Sequence, residues 1–300
     1  MRLAGEGVPL IRKAVIPAAG LGTRLLSVTK EQPKEMLPIF ARASNGGLGL
    51  KPLLQMVFEQ LYDAGFREFC FIVGRGKRAI EDHFTQDYEY VEMLRLKGKI
   101  DLASDLEGFY RRLEDSSIIW INQPHPKGFG DAVLRAEPFI GDEEFMVHAG
   151  DTYIISPGNG HIERLLKTYG ELRADAVFIV QEVEDPRQYG VVKGREVEDE
   201  VIEVEMVVEK PEEPISRVAI MPIYVFHPVI FKALERTPPG KGGEVQLTDG
   251  IQKLISWGLK VYAVKLRRGD VRLDIGNPES YWEALKTSYE YFGGVREVGA

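Results

Sequence analysis

Three hundred residues with 44% hydrophobic and 10% aromatic content can bury a large core, and a charged fraction of 28% excludes a disordered chain. A net charge of -8 argues against a protein that coats nucleic acid, and no apolar run nears the roughly 20 residues that span a bilayer. The single cysteine, Cys70, excludes an internal disulfide, and the start MRLAGEGVPLIRK lacks the apolar core of a signal peptide, so the expected location is cytoplasmic.

In chain order, residues 13–17 (KAVIP) read as a strand running into a glycine-rich turn. Residues 52–64 place Leu53, Leu54, Val57, Phe58 and Leu61 at helical spacing, and Gly65 stops them. Residues 69–73 (FCFIV) form a second buried strand that takes Cys70 as core packing, and 77–84 predicts a helix. Further strands are expected at 118–121, 145–147, 176–181, 204–208, 220–226 and 261–266. The final helix starts at the cap Asn277 with Pro278 in its first position, and Gly293 comes after it. Its stripe of Tyr281, Trp282, Leu285, Tyr289 and Phe292 reads as a core or subunit contact.

Two segments look like additions. Residues 41–50 (ARASNGGLGL) are small and glycine-rich, which predicts a mobile loop. Residues 88–113 are charged with helical periodicity and predict one or two exposed helices. Alternating strand and helix signals predict an α/β fold, a mostly parallel, Rossmann-like sheet flanked by helices. One domain over 1–300, with its core at about 13–290, is the simpler organisation, since no repeat or strong linker interrupts the chain.

The most informative stretch is Ala18-Ala19-Gly20-Leu21-Gly22-Thr23-Arg24, directly after the first strand. Small residues let the backbone approach a ligand, and successive amides can line an anion. A dinucleotide fingerprint needs a third glycine where Leu25 stands, and the Gly-Lys-Ser/Thr of a P-loop is absent. The turn leads instead into a set of cations, Arg24, Lys30 and Lys34, in a segment stiffened by Pro33 and Pro38. A guanidinium fork and an ammonium beside a glycine turn suit a polyphosphate; the alternative is a solvated charged loop. Asp151 comes after the apolar strand at 145–147, at the sheet edge where α/β ligands bind, and Asp274 precedes the last helix. Two aspartates plus phosphate oxygens suit Mg2+, a hard cation, while an Asx-turn and a cap neighbour are the plainer readings.

The stretch KAVIPAAGLGTRLLSVTKEQPKEMLP resembles the signature of the sugar-phosphate nucleotidylyltransferases, in particular the bacterial-type UTP–glucose-1-phosphate uridylyltransferases. The resemblance extends over roughly residues 13 to 290. It implies a fold of nucleotide-diphospho-sugar transferase type and a homodimer or homotetramer acting on UTP and glucose 1-phosphate. By the same resemblance Ala18, Ala19, Gly20, Gly22, Thr23 and Glu35 hold the nucleotide, and Arg24 and Lys34 are catalytic. Gln123 and Gly128, in QPHPKG, read the pyrimidine edge, with His125 structural. Asp151 and Asp274 hold the metal. Gly190, Glu209 and Lys210 bind the sugar phosphate, with Lys210 also catalytic. The segment 237–249 (TPPGKGGEVQLTD) marks the uridylyl subgroup, with no chemistry legible in it beyond subunit contact or site closure. One departure is Pro222, where the family often has glycine near the sugar; it offers no amide donor, which bears on sugar specificity. The implied rivals are dTTP in place of UTP, another hexose 1-phosphate, or a silent relative that binds without turnover.

Overall fold

The computed structural model describes residues 11–294, so most of the segment MRLAGEGVPLIRK lies outside the described residues. Strand β1 is Lys13–Pro17, β2 Pro38–Arg42, β3 Leu48–Pro52, β4 Glu68–Val73, β5 Ser117–Asn122, β6 Phe145–His148 and β7 Thr152–Ile155. After these come β8 Ala176–Glu182, β9 Gly190–Glu198, β10 Val201–Glu209, β11 Val218–Phe226, β12 Val261–Lys265 and β13 Val271–Asp274. Nine of them make one sheet in the order β5-β4-β1-β6-β11-β8-β12-β10-β9. β7 and β13 pair separately, as do β2 and β3.

The α/β class is as expected, but parallel pairing is confined to β5–β4, β4–β1, β1–β6 and β8–β12. β11 runs antiparallel to β6 and β8, and β10 antiparallel to β12 and β9. The reason is local: β9 and β10 are joined only by Asp199 and Glu200, too short for a crossover, and Glu200 takes φ 65°. The charged run of β9, exposed beyond Val192, hid this hairpin from a pattern search.

Period-two packing explains the buried sheet. Along β4, Phe69, Phe71 and Val73 enter one core with Phe58 and Phe109, while Cys70 and Ile72 enter the other with Phe145 and Phe178. Burial pushes the Cys70 thiol up to about 12, so it acts as a small hydrophobe.

Of the two additions, the first is better ordered than expected, and the second forms the expected helices but packs on the core. Residues 41–50 are no loose loop but most of the β2–β3 hairpin, because Ile39 and Ala41 alternate into a buried cluster with Leu273 and Ile275. Residues 88–113 fold into the helices Tyr88–Leu96 and Ile100–Glu114, whose Val91, Leu94, Phe109 and Leu113 join the main core. The last helix, Pro278–Phe292, has the capping box of Asn277 and Ser280. It seats against β2 through the small Ala284 and Ser288, so the stripe residues Trp282 and Tyr289 stay 62% and 47% exposed rather than forming core. Among the described residues no helix is long and apolar enough to cross a membrane.

Candidate active site

The C-terminal ends of β1, β5 and β6 open into a cavity of about 530 Å³. The turn after β1 forms one wall, with Ala19, Gly20, Gly22, Thr23 and Arg24 all lining it. Ala18 does not: it is buried, and its N–H donates to Ile72 O at 2.8 Å, anchoring the turn instead. Gly22 takes φ 64°, a conformation that L side chains avoid, and Thr29 Oγ1 donates to its carbonyl at 2.8 Å. Arg24 stands exposed at the rim, whereas Lys30 pairs with Glu31 at 3.5 Å and stays outside the cavity.

The short turn Lys34–Met36 aims two charges differently. The Lys34 ammonium donates to the Asp151 carboxylate in an ion pair. Burial disfavours its charge, but Asp151, Glu35 and Asp274 outweigh that, and Lys34 is held above the usual lysine range. Glu35 borders the cavity, yet its carboxylate is turned to Lys77 Nζ at 2.8 Å, and both side chains are buried. Burial dominates there and raises the Glu35 carboxyl.

The two aspartates meet through strand register. Asp274 pairs opposite Thr152 in the β13–β7 ribbon, and Ile275 N donates to Asp151 O at 3.1 Å. Burial raises both carboxyls; Lys34 and Arg24 reverse this for Asp151, holding it below the usual range. Asp274 stays raised, by burial and then by the neighbouring Asp151 charge. The Lys34 ammonium offsets part of this repulsion, and the two carboxylates could share a further cation. Among the described residues no group of three or more His, Cys, Asp or Glu is placed to hold a metal.

Gln123 also lines the cavity; 5% exposed, it donates Nε2 to Gly128 O at 3.1 Å and to Asp131 Oδ2 at 2.7 Å. That commits the amide nitrogen and leaves Oε1 as the acceptor. Gly128 sits at φ 108°, and a Cβ there would lie 2.6 Å from Val245 O. Only glycine fits.

The sugar-phosphate candidates cluster at the far end. A Cβ on Gly190 would lie 2.8 Å from Thr248 Oγ1 and 3.3 Å from Glu209 Oε2, so its bareness is what opens the pocket. Glu209 Oε1 lies 3.1 Å from Lys210 Nζ, and Lys210 takes φ 42° as its chain turns out of β10. Pro222 also lines the cavity, at the point where the β11–β8 register shifts, and it spends its carbonyl on Ala149 N at 3.0 Å.

A nucleotidyl transferase family model matches residues 13–290, spanning the turn, the aspartates and the sugar end alike. The chain belongs to the nucleotidyl transferase family. It is 38% identical over 286 residues to a UTP–glucose-1-phosphate uridylyltransferase of Pseudomonas aeruginosa, covering 94% of this chain and 97% of that one. Among solved structures it resembles a UDP-glucose pyrophosphorylase complexed with UDP-glucose, with TM-score 0.80 and 32% identity over 94% of this chain and 99% of that one. A UTP-bound UGPase of Acinetobacter baumannii matches with TM-score 0.80 and 30% identity, covering 94% of both chains.

Within this nucleotidyl transferase the segment 237–249, expected to bear only on subunit contact or site closure, lines the cavity itself. Glu244, Gln246, Leu247 and Thr248 line the cavity, and Val245 braces Gly128 and Gly130. Lys241 Nζ donates to Lys210 O at 2.6 Å. Thr248 within it, and outside it Lys77 and Arg272, which lines the cavity beside Tyr189, were given no role by the sequence. Nothing local marks them, since each acquires its role from a partner at least 39 positions away. His125 is exposed and does not line the cavity.

Proposed function

We propose that this enzyme transfers a uridylyl group from UTP to glucose 1-phosphate, giving UDP-glucose and pyrophosphate. The observation that carries this reading is convergence: the glycine turn, the Gln123 amide, the aspartate pair and the Glu209–Lys210 end all face one cavity. A uracil edge offers an N3–H to the free Gln123 Oε1, and the narrow glycine turn accommodates the nucleotide. A sugar-phosphate oxygen attacks the α-phosphorus in line, forming one P–O bond as the bond to the β-phosphate bridge breaks. Phosphoryl chemistry of this kind needs positioning and charge neutralisation more than covalent help. Arg24 at the rim neutralises departing pyrophosphate, Lys34 the α-phosphate, and Lys210 the attacking phosphate. No general base is needed, because the attacking phosphate is already ionised at neutral pH.

Asp151 and Asp274 fit a divalent metal, which we take to be Mg2+; when bound it would neutralise phosphate oxygens. The lone buried Cys70 supports a cytoplasmic location, and the exposed Trp282 and Tyr289 support assembly as a homodimer or homotetramer. The deciding experiment is pyrophosphate release across UTP, dTTP and other nucleotides crossed with several sugar 1-phosphates, with and without Mg2+. The highest kcat/KM for UTP with glucose 1-phosphate, lost without the metal, is the expected result. Silence across the panel would leave a binding protein, and a dTTP preference would reassign the nucleotide.

A further inference from the structure

We infer that Arg272 is a positioning residue that locks the sugar-phosphate end of the site to the strand that carries Asp274. The inference rests on the proposed uridylyl transfer. Asp151 leads into β7 and Asp274 ends β13, in a ribbon separate from the nine-stranded sheet, whereas Gly190 begins β9 and Glu209 ends β10 at that sheet's edge. The two halves are therefore distinct pieces of secondary structure facing one cavity, and something must fix their separation.

Arg272 spans them. It stands on β13 two residues before Asp274, with its side chain 16% exposed and Nη1 3.9 Å from Asp274 Oδ1. Its Nη2 donates to Tyr189 Oη at 3.0 Å, and its guanidinium carbon lies 5.4 Å from the Tyr189 ring centroid. A hydrogen bond and a ring contact to one partner hold the fork in a way that an ammonium does not reproduce. Tyr189 in turn governs the sugar end: it directly precedes Gly190, its carbonyl accepts Lys210 N at 2.9 Å, and its ring packs on the main core. One side chain thus ties Asp274 to the turn that holds both Gly190 and Lys210.

Each half keeps its own ligands without this tie, so each substrate still binds. The loss falls on the approach of the attacking oxygen to the α-phosphorus, where misplacement by about 1 Å can cost on the order of a hundred-fold in rate. A brace therefore shows in kcat and not in KM.

The test is steady-state kinetics of wild type, Tyr189→Phe, Arg272→Lys, Arg272→Gln and the Tyr189→Phe/Arg272→Gln pair. Tyr189→Phe keeps the ring and deletes only the acceptor; we expect kcat to fall about ten-fold with both KM values within about two-fold. Arg272→Lys should behave likewise, and the double variant should be no slower than Arg272→Gln alone, since both changes cut one link. Wild-type kcat in Tyr189→Phe would overturn the inference. So would a raised KM for glucose 1-phosphate in Arg272→Gln beside a normal Tyr189→Phe, because Arg272 would then grip the sugar phosphate itself. Failure of the wild type to release pyrophosphate from any substrate pair is a different outcome, which sinks the transfer reaction rather than the brace.

Discussion

Thr248 Oγ1 donates a 2.6 Å hydrogen bond to Glu209 Oε2, and Glu209 Oε1 faces Lys210 Nζ at 3.1 Å. The carboxylate is thereby clamped by two partners while bordering the cavity. Thr248 is itself only 5% exposed.

Thr248→Val keeps the shape and removes the donor. A hydrogen bond to a charged group contributes roughly 1.5–3 kcal/mol, so KM for glucose 1-phosphate should rise by about ten-fold or more. KM for UTP should stay put, because Gln123 and the glycine turn lie at the other end. Initial rates at varied sugar phosphate decide it, and an unchanged KM removes Thr248 from sugar binding.

Lys34→Ala removes the half-buried ammonium that pairs with Asp151. If Lys34 stabilises charge on the α-phosphate, the loss costs on the order of 3 kcal/mol in barrier, about a hundred-fold in kcat. Single-turnover rates measure this directly. Turnover equal to the wild type would refute the role.

Lys77 and Glu35 form a buried ion pair at the edge of the cavity, 8% and 2% exposed in their side chains. Lys77→Met leaves the Glu35 carboxylate without its partner and should lower folding stability by about 3–5 kcal/mol. Adding Glu35→Gln should return much of that loss, since the uncompensated charge disappears. Urea unfolding of Lys77→Met, Glu35→Gln and the double variant provides the comparison, and additive losses would show that the pair is not the cause.

The pH dependence of stability should report two buried histidines. Burial lowers His148 to about 4 and His161 to about 3, from 6.5. The neighbouring charges, Asp151 for His148 and Asp270 for His161, raise these values only in part, while Arg164 lowers His161 further. Both folded values are depressed, so the unfolded chain binds protons first as pH falls. Stability is whole above about pH 6.5 and declines toward pH 4, by up to about 1.4 kcal/mol per unit and per histidine. Both ring nitrogens of His161 lack hydrogen-bond partners, so His161→Phe should flatten the decline in a series of urea melts. An undiminished slope would assign the decline to other groups.

Much of this molecule was legible in residue order. The strand at 13–17, the helix at Leu53–Asp63 and the capped last helix arise from apolar period and capping chemistry, which act over a few neighbouring residues. The glycine turn with Arg24 and Lys34 was equally visible, because small residues and cations crowd into 17 positions. Reading 41–50 as a loose loop failed because glycine content hid a hairpin whose inward residues pack on distant Leu273 and Ile275.

Sequence alone determined the kind of site: local composition dictates where backbone can approach a phosphate and which side chains carry charge. Tertiary structure decided which of those groups meet. Only folding sets Asp274 against Asp151, Thr248 against Glu209 and Arg272 against Tyr189, across separations of 123, 39 and 83 positions. Contacts that span such distances arise from strand register and core packing over the whole chain, and no local pattern encodes them.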